Sequence, residues 1–258
     1  AFEPTGAAFT FAERTSQSAH VLVADFGGGT SDFSVVHIDN KTVTPIAHAG
    51  VGIAGDIFDY RLIDHIIAPQ LGKGSTYESY GKRMDMPISV YRTFASWHLL
   101  SMLKAPKTIR EIEDILRTSS TPDALQKLLT IINDELGFIL YRAISATKSA
   151  LSQSPQADFI FDAPGVSLRA TVKRNDFEKW IANDIAKIKA GVTDVLKKSS
   201  LTPDQIDHVF MTGGTSFVPV VRKMISDMFG AEKLADGGEF TSVSAGLALI
   251  GQTPEKRA

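Results

Sequence analysis

The sequence contains no cysteine among its 258 residues. This absence excludes disulfide frameworks, thiolate zinc sites and cysteine nucleophiles, and it permits a reducing compartment. No apolar run reaches the roughly 18 residues that a membrane span needs. Neither sign of charge is in excess, with 27 Lys and Arg against 29 Asp and Glu, so no strong electrostatic surface for nucleic acid or anionic lipid is expected. We therefore expect a cytoplasmic protein that binds neither nucleic acid nor membranes.

Residues 1–15 also lack the features of a signal peptide and an initiator Met. We interpret Ala1 as a cut end. The composition is that of an ordinary globular protein, with 43% hydrophobic and 22% charged residues. The length allows one large domain or two modest ones.

The periodicity of apolar residues predicts an opening order of β-β-β-α. Residues 21–38 predict a hairpin whose turn is GGGTSD, a third strand follows at 42–49, and helical spacing covers 56–68. The stretch 70–120 is turn-rich and polar and then helical, and we treat it as an insertion. The later elements predicted are one long helix from Thr121 to about 152, a hairpin around Pro164-Gly165, a helix opened by a capping box of Asn175 and Glu178, a strand at 207–211, a TGGTS turn, a helix at 218–229 and a last helix at 242–250.

Two strand-to-turn segments carry the chemistry. One is Asp25 followed by Gly27, Gly28, Gly29 and Thr30, and the other is TGGTS at 212–216. Consecutive glycines let the backbone approach a ligand closely, and successive N–H groups can converge on an anion. Asp25 at the end of a buried strand is suited to a metal-bound water, and Thr30 to a phosphate oxygen. Each turn taken singly is equally compatible with an ordinary tight turn.

Five motifs in a fixed order carry a family resemblance, and they are FEPTGAA (2–8), DFGGGTSD (25–32), AGDIFD (54–59), TGGTSFVPVVRKMISDMFG (212–230) and SVSAGLA (242–248). Together they resemble the DnaK-type, 70-kDa heat-shock branch of the actin-like ATPase superfamily. The second hinge motif is similar in form to that of the short YegD-type chaperone-like members. The resemblance implies an α/β fold, with an RNase-H-like (actin-like ATPase) lobe and an inserted α+β cap.

The same resemblance implies the domain boundaries. Residues 1–19 would form a hinge helix and linker, 20–70 and 200–240 the nucleotide-binding lobe, 71–199 the cap, and 241–258 a second hinge helix and tail. In the family, ATP lies between two such lobes, and this chain supplies one of them. The DxGT phosphate loop that opens the other lobe does not occur in this sequence.

The resemblance also implies a site for ATP or ADP with Mg2+. Its catalytic residues would be Asp25, Thr30, Asp32 and the hinge residue Glu3, with Asp25 holding magnesium through water. Its nucleotide contacts would be Gly27, Gly28, Gly29, Thr30, Gly55, Lys148, Ser152, Gly213, Gly214, Thr215 and Phe217. Three family charges are replaced, because Ser145, Ser149 and Phe217 stand where the family has a glutamate and two arginines.

These features support two hypotheses. The first is the ATP-binding lobe of a chaperone-like ATPase, a monomer with client proteins or co-chaperones as partners, which hydrolyses ATP in its full-length parent and is inactive as this chain alone. The alternative is a non-catalytic actin-like interaction module with a vestigial cleft. A sugar kinase or filament-forming relative is compatible with the same fold.

Overall fold

The computed structural model describes residues 18–40 and 42–235. The hinge segments expected at 1–19 and 241–258 therefore lie almost wholly outside the described residues, and Glu3 with them. The strands are β1 (Ala19–Phe26), β2 (Ser31–Asp39), β3 (Thr42–Val51), β4 (Thr76–Ser79), β5 (Lys82–Asp85), β6 (Gln156–Ala163), β7 (Val166–Lys173) and β8 (His208–Thr212). The α-helices are α1 (Gly55–Leu62), α2 (Ile88–Ala95), α3 (Pro106–Leu116), α4 (Pro122–Asn133), α5 (Gly137–Gln153), α6 (Arg174–Ser199) and α7 (Pro219–Phe229).

Shorter helical segments link these elements. Helix α1 continues as a π-helical turn, Ile63–Ile67, and a 3₁₀ turn, Ala68–Leu71. Other 3₁₀ segments cover Trp97–Lys104, Pro203–Gln205, Gly214–Phe217 and Ala231–Lys233. In the described part of the chain, no helix is long and apolar enough to cross a membrane.

A mixed four-stranded sheet has the order β3-β2-β1-β8. The first three strands form an antiparallel meander, and β8 pairs with β1 in parallel. The run from Val21 to Ala24 in β1 is completely buried, as expected for a central strand that is covered on both faces. The predicted α/β class, hairpin and third strand are confirmed.

The chain divides into two compact units, Ala1–Gly55 with Ala182–Ala258, and Asp56–Ile181. The first unit contains the mixed sheet. Within it, Phe33 of β2 packs against α6 at Gly191, where a Cβ would lie 2.9 Å from the Phe33 ring. The subdomain boundaries expected at 71 and 199 follow the family's organisation and stay a prediction.

The second unit is a helical layer with two small hairpins, β4-β5 and β6-β7. In β6, buried Ala157, Phe159 and Phe161 alternate with exposed residues, which is the pattern of a strand with one covered face. Strand β6 packs against α5. The hairpin predicted around Pro164-Gly165 is therefore confirmed.

The single long helix predicted from Thr121 to 152 is wrong. The structure has two helices, α4 and α5, because Glu135 adopts a left-handed conformation with φ +55° and ends α4. The Leu136 N–H donates to the Ile131 carbonyl at 3.1 Å, which completes a Schellman-type turn. The apolar spacing continues across this break, so periodicity alone does not show it.

The capping box predicted at Asn175 is also absent. Helix α6 begins at Arg174, which places Asn175 inside the first turn. Two hydrogen bonds hold this earlier start, from the Arg174 backbone N–H to the Pro155 carbonyl at 2.8 Å and from the Arg174 Nε to the Leu151 carbonyl at 2.7 Å.

We predict that Ser200→Gly stabilises the protein by about 1 kcal/mol, because Ser200 follows α6 with φ +59° and glycine removes the Cβ strain. Ser154→Gly is the matched control, since Ser154 ends α5 in extended conformation with φ −126°. There glycine only adds freedom to the unfolded chain and should destabilise by about 0.5 kcal/mol. Denaturant unfolding measures both changes, and effects of the same sign would contradict the argument.

Candidate functional site

The two glycine turns lie side by side. Strands β1 and β8 run in parallel and end together, with Asp25 in register with Thr212. Each strand is followed directly by a turn, Gly27–Thr30 after β1 and Gly213–Thr215 after β8. The carboxyl end of a parallel strand pair is where α/β folds commonly bind ligands. The pairing of β1 with β8 therefore places both candidate segments at one edge of the sheet.

Hydroxyl groups join the two turns. The Thr212 Oγ1 donates a hydrogen bond to the Asp25 Oδ1 at 2.8 Å, and the Thr215 Oγ1 donates to the Gly27 carbonyl at 3.0 Å. Thr212 and Thr215 are both buried. A buried hydroxyl that finds its partner is stabilising and directional, so these two bonds fix one turn against the other.

Gly213 is required by its conformation and by its surroundings. Its φ is +82°, and a Cβ at this position would lie 2.1 Å from the Phe26 carbonyl oxygen and 3.1 Å from the Asp25 Oδ1. Any side chain would therefore push β8 away from β1. By contrast, a Cβ at Gly214 would meet nothing within 4 Å.

The turn after β1 is closed by its own backbone and then left open to solvent. The Gly27 N–H donates to the Thr30 carbonyl at 3.0 Å, and the Gly55 N–H approaches the Gly27 carbonyl at 3.4 Å. Gly28, Gly29 and Thr30 are exposed. The hydrogen bonds of Gly27 hold the base of the turn. The exposed backbone at its tip is accessible to a ligand.

Two carboxylates flank this turn. Asp25 and Asp32 are directly opposite each other in the β1-β2 ladder, a position in which Cβ atoms lie about 4.5–5.5 Å apart. Asp32 also lies over Gly50, where a Cβ would be 2.6 Å from its Oδ1. Like charges opposite each other are destabilising, and a nearby cation would relieve that repulsion.

Lys148 and Ser152 belong to the other unit. The Lys148 Nζ lies 2.9 Å from the Asp59 Oδ1, and the two side chains are only 15% and 14% exposed. Burial raises the pKa of Asp59, and the neighbouring Lys148 ammonium opposes that rise. Lys148 is therefore half of a buried ion pair and not a solvated helix position. The Ser152 Oγ donates to the Lys148 carbonyl at 3.4 Å.

The same unit holds an apolar cavity of about 310 Å³ beside this ion pair. Its walls include Asp59, Trp97, Phe138, Tyr141 and Ser145. Burial raises the pKa of the Tyr141 hydroxyl, which donates to the Phe94 carbonyl at 3.0 Å. Sequence reasoning does not find this cavity, because its aromatic residues come from separate segments with no shared motif.

Within each unit, sequence reasoning misses the role of residues that contact the predicted ones. Thr212 is predicted only as part of a turn, although it is the direct partner of Asp25. Gly50 and Asp59 acquire their roles through contacts with Asp32 and Lys148. The exposed Phe217, which the resemblance does place at the site, follows the second turn with 44% of its surface accessible.

Comparisons with known proteins point to one family. The family described as "Hsp70 protein" matches residues 2–80 and 134–253. Heat shock 70 kDa protein 13 of Pongo abelii is 26% identical over 96% of this chain and 50% of its own length. A ribosome-associated molecular chaperone of Nakaseomyces delphensis is 27% identical over 90% of this chain and 30% of its own. The chaperone protein DnaK of Thermotoga neapolitana is 24% identical over 96% and 34%.

The mixed sheet and its paired turns are those of an RNase-H-like, actin-like ATPase lobe. The chain belongs to the Hsp70 family, and the predicted family and fold are confirmed. It spans between 30% and 50% of the length of these relatives. Residues 81–133 lie outside the family match.

We predict that Gly213→Ala destabilises the protein by at least about 2 kcal/mol, because the new Cβ meets the Phe26 carbonyl and the left-handed φ is strained. The adjacent Gly214→Ala, with open space around it, should change the unfolding free energy by less than about 0.5 kcal/mol. Chemical denaturation of both variants checks this difference. Equal losses at the two positions would show that the β1-β8 contact does not require glycine.

Proposed function

We propose that this chain is the ATP-binding lobe of a DnaK-type, chaperone-like ATPase. The observation that supports it most directly is the pair of glycine turns at the ends of β1 and β8, joined by the Thr212–Asp25 and Thr215–Gly27 hydrogen bonds. Membership of the Hsp70 family makes ATP or ADP with Mg2+ the ligand of choice.

The phosphates would lie against the turn after β1. Its exposed backbone at Gly28 and Gly29 offers N–H groups without side chains in the way. The Thr30 hydroxyl would add a contact to a phosphate oxygen. Because Gly27 is held by Thr215 from the neighbouring turn, the donors need little reorganisation when the anion binds.

The carboxylates fit magnesium that is held through water. The Asp25 Oδ1 accepts the Thr212 hydroxyl hydrogen, which orients the carboxylate and leaves its other oxygen for a water ligand. No cluster of three or more His, Asp or Glu that could hold a metal occurs among the described residues, and Mg2+ is often bound by one or two carboxylates together with waters and phosphates. Bound magnesium would neutralise phosphate charge. Asp32 would accept a hydrogen bond from the attacking water.

The nucleoside would contact Gly213, Gly214 and Thr215, with Gly55, Lys148, Ser152 and Phe217 completing the set that the family implies. The charge of Lys148 is already largely balanced by its ion pair with Asp59, so Lys148 would contact the nucleoside as part of that pair. Serines at 145 and 149 remove charged groups that the family has there. The exposed Phe217 offers an aromatic face for stacking instead.

The remaining parts of the proposal follow the family. The lobe would comprise 20–70 and 200–240, the cap 71–199, and the hinge helices 1–19 and 241–258, with Glu3 acting at the hinge. We further propose a cytoplasmic monomer, similar to the YegD-type members, that works with client proteins or co-chaperones.

Calorimetry with Mg-ATP tests the proposal in the longest natural protein that contains this chain. Gly28→Asp places a carboxylate against the phosphates and should weaken binding at least about tenfold through like-charge repulsion. Thr44→Asp is the control, because it adds the same charge to exposed β3, roughly 20 Å along the strand from the glycine turn. Equal binding by both variants would reject the assignment.

The isolated chain should hydrolyse ATP negligibly. Its backbone N–H donors contact the phosphates from one side only. The groups of the family's other lobe, which would stabilise the phosphate charge and position the attacking water, are not part of this chain. Phosphate release is measured against a blank without protein. Release above that blank, abolished by Asp25→Ala, would contradict this prediction.

A further inference from the structure

A polar pocket of about 320 Å³ lies within the unit Asp56–Ile181. It is formed by the loop after the 3₁₀ turn that extends α1, by β4 and β5, and by the residues that precede α4. Its lining includes Lys73, Arg83, Ser75, Thr76, Ser120 and Thr121, and no carboxylate. This volume is at the lower end of the range for small-molecule sites. A pocket lined by cations and hydroxyls without acids is suited to an anion.

The loop brings backbone into the pocket wall. Gly72 and Gly74, on either side of Lys73, both have positive φ, +96° and +83°. A Cβ at Gly74 would meet nothing within 4 Å. The N–H groups of Gly72, Lys73 and Ser75 donate to the carbonyls of Pro69, Ala68 and Gly72 within the loop. The Gly74 N–H is therefore the loop donor that remains for an anion.

The two cations are in different states. The Lys73 Nζ donates to the Asp64 Oδ1 at 2.6 Å, so most of its charge is balanced. The Arg83 Nε donates to the Thr76 Oγ1 at 2.9 Å, which fixes the guanidinium through a neutral group. No ion pair of Arg83 occurs in the described part of the chain. The terminal nitrogens of Arg83 are therefore the main charge that this pocket offers, in the fork geometry that matches a phosphate.

Thr121 provides an independent sign of a missing partner. Its Oγ1 is buried and has no hydrogen-bond partner in the structure. Thr121 is the N-cap of α4, yet its side chain makes no capping bond. A buried hydroxyl without a partner costs free energy. Rotation of the Thr121 side chain toward the pocket would let a ligand oxygen recover it. The neighbouring Ser120 Oγ is already used by the Thr76 N–H at 3.1 Å.

We propose that this pocket binds a small phosphate oxyanion, either free inorganic phosphate or the phosphoryl group of a small phosphomonoester. Arg83 would hold two oxygens, the Thr121 hydroxyl would donate to a third, and the loop at Gly72–Ser75 would close over the anion. The start of α4, a helix of 12 residues, adds a favourable dipole. Arg83, Ser120 and Thr121 fall in the segment 81–133 outside the Hsp70 match, whereas the loop at Gly72–Ser75 lies inside it.

Amide NMR of the chain, titrated with inorganic phosphate at constant ionic strength, tests the proposal. The resonances of Gly72, Gly74 and Ser75 should shift and saturate, while chloride at matched ionic strength should leave them in place. Glycerol 2-phosphate is the second arm. Tighter binding of this probe than of inorganic phosphate identifies a phosphomonoester site, and the reverse identifies a site for free phosphate. Shifts that never saturate, or that chloride reproduces, would overturn the proposal.

Charge variants separate the pocket from the surface of the hairpin. Arg83→Gln should weaken phosphate binding by about tenfold or more, since a charge-assisted contact is lost. Lys82→Gln removes the same charge from the neighbouring exposed position in β5, which does not line the pocket, and should bind almost as the unchanged chain does. An equal loss of phosphate affinity in both variants would show that the anion is attracted by surface charge and is not bound in the pocket.

Thr121→Val tests the proposed contact between the Thr121 hydroxyl and the anion, because valine keeps the shape of the side chain and removes its oxygen. Because that oxygen has no partner in the structure, the thermal midpoint should be unchanged or higher, whereas phosphate binding should weaken about tenfold. Unchanged phosphate affinity in this variant would remove Thr121 from the site and overturn the geometry proposed.

The outcome is independent of the proposed ATP site. Phosphate could also occupy the turn at Gly27–Thr30, so the titration is repeated in Gly28→Asp. Shifts at Gly72–Ser75 should persist in that variant whether or not the first turn binds. Their loss in Gly28→Asp would place the binding at the glycine turn and refute the second site.

Discussion

The parallel pairing of β1 with β8 is the interaction on which the rest of the site depends. The two strands are joined at their ends by the Thr212–Asp25 hydrogen bond, between residues that are 187 positions apart in the chain. This register sets the close approach of Gly213 to the Phe26 carbonyl and brings Thr215 to Gly27. Without it, each glycine segment is only a turn. With it, the two turns lie side by side at one edge of the sheet. The Thr212 and Thr215 hydroxyls hold them together, and the turn after β1 is exposed to solvent.

Local patterns predict the elements much better than the contacts between them. Alternation and apolar runs are sufficient for β1, β2, β3 and the β6-β7 hairpin, because a covered strand face leaves a period of two in the sequence. The break between α4 and α5 leaves no such signal, since Glu135 occupies a left-handed position where glycine or asparagine would ordinarily mark the end of a helix. The β1-β8 register joins strands that are far apart in the sequence, so no local pattern predicts it.

The Asp59–Lys148 pair shows why residue roles at the site are harder to predict than its backbone. Taken alone, Lys148 on a helix is compatible with a solvated side chain or with a ligand contact. In the structure it is largely buried against Asp59. Burial of Asp59 disfavours its charged form, and the lysine offsets part of that cost. Each side chain therefore needs the other. A ligand that contacts Lys148 would meet a nearly neutral pair and not a free cation, which lowers the electrostatic contribution to be expected from this position.

Residues 81–133, which do not match the Hsp70 family, line two concave surfaces of the unit Asp56–Ile181. The residues that form the glycine turns lie in the segments that match the Hsp70 family, whereas 81–133 does not match. The unmatched segment supplies Trp97 to the apolar cavity and Arg83 and Thr121 to the polar pocket. In both places it completes a concave surface whose other wall comes from the family-matched part. Since a concave surface with a few convergent polar groups is what small molecules require, new ligand specificity can arise here while the sheet edge that would hold the phosphates stays unaltered.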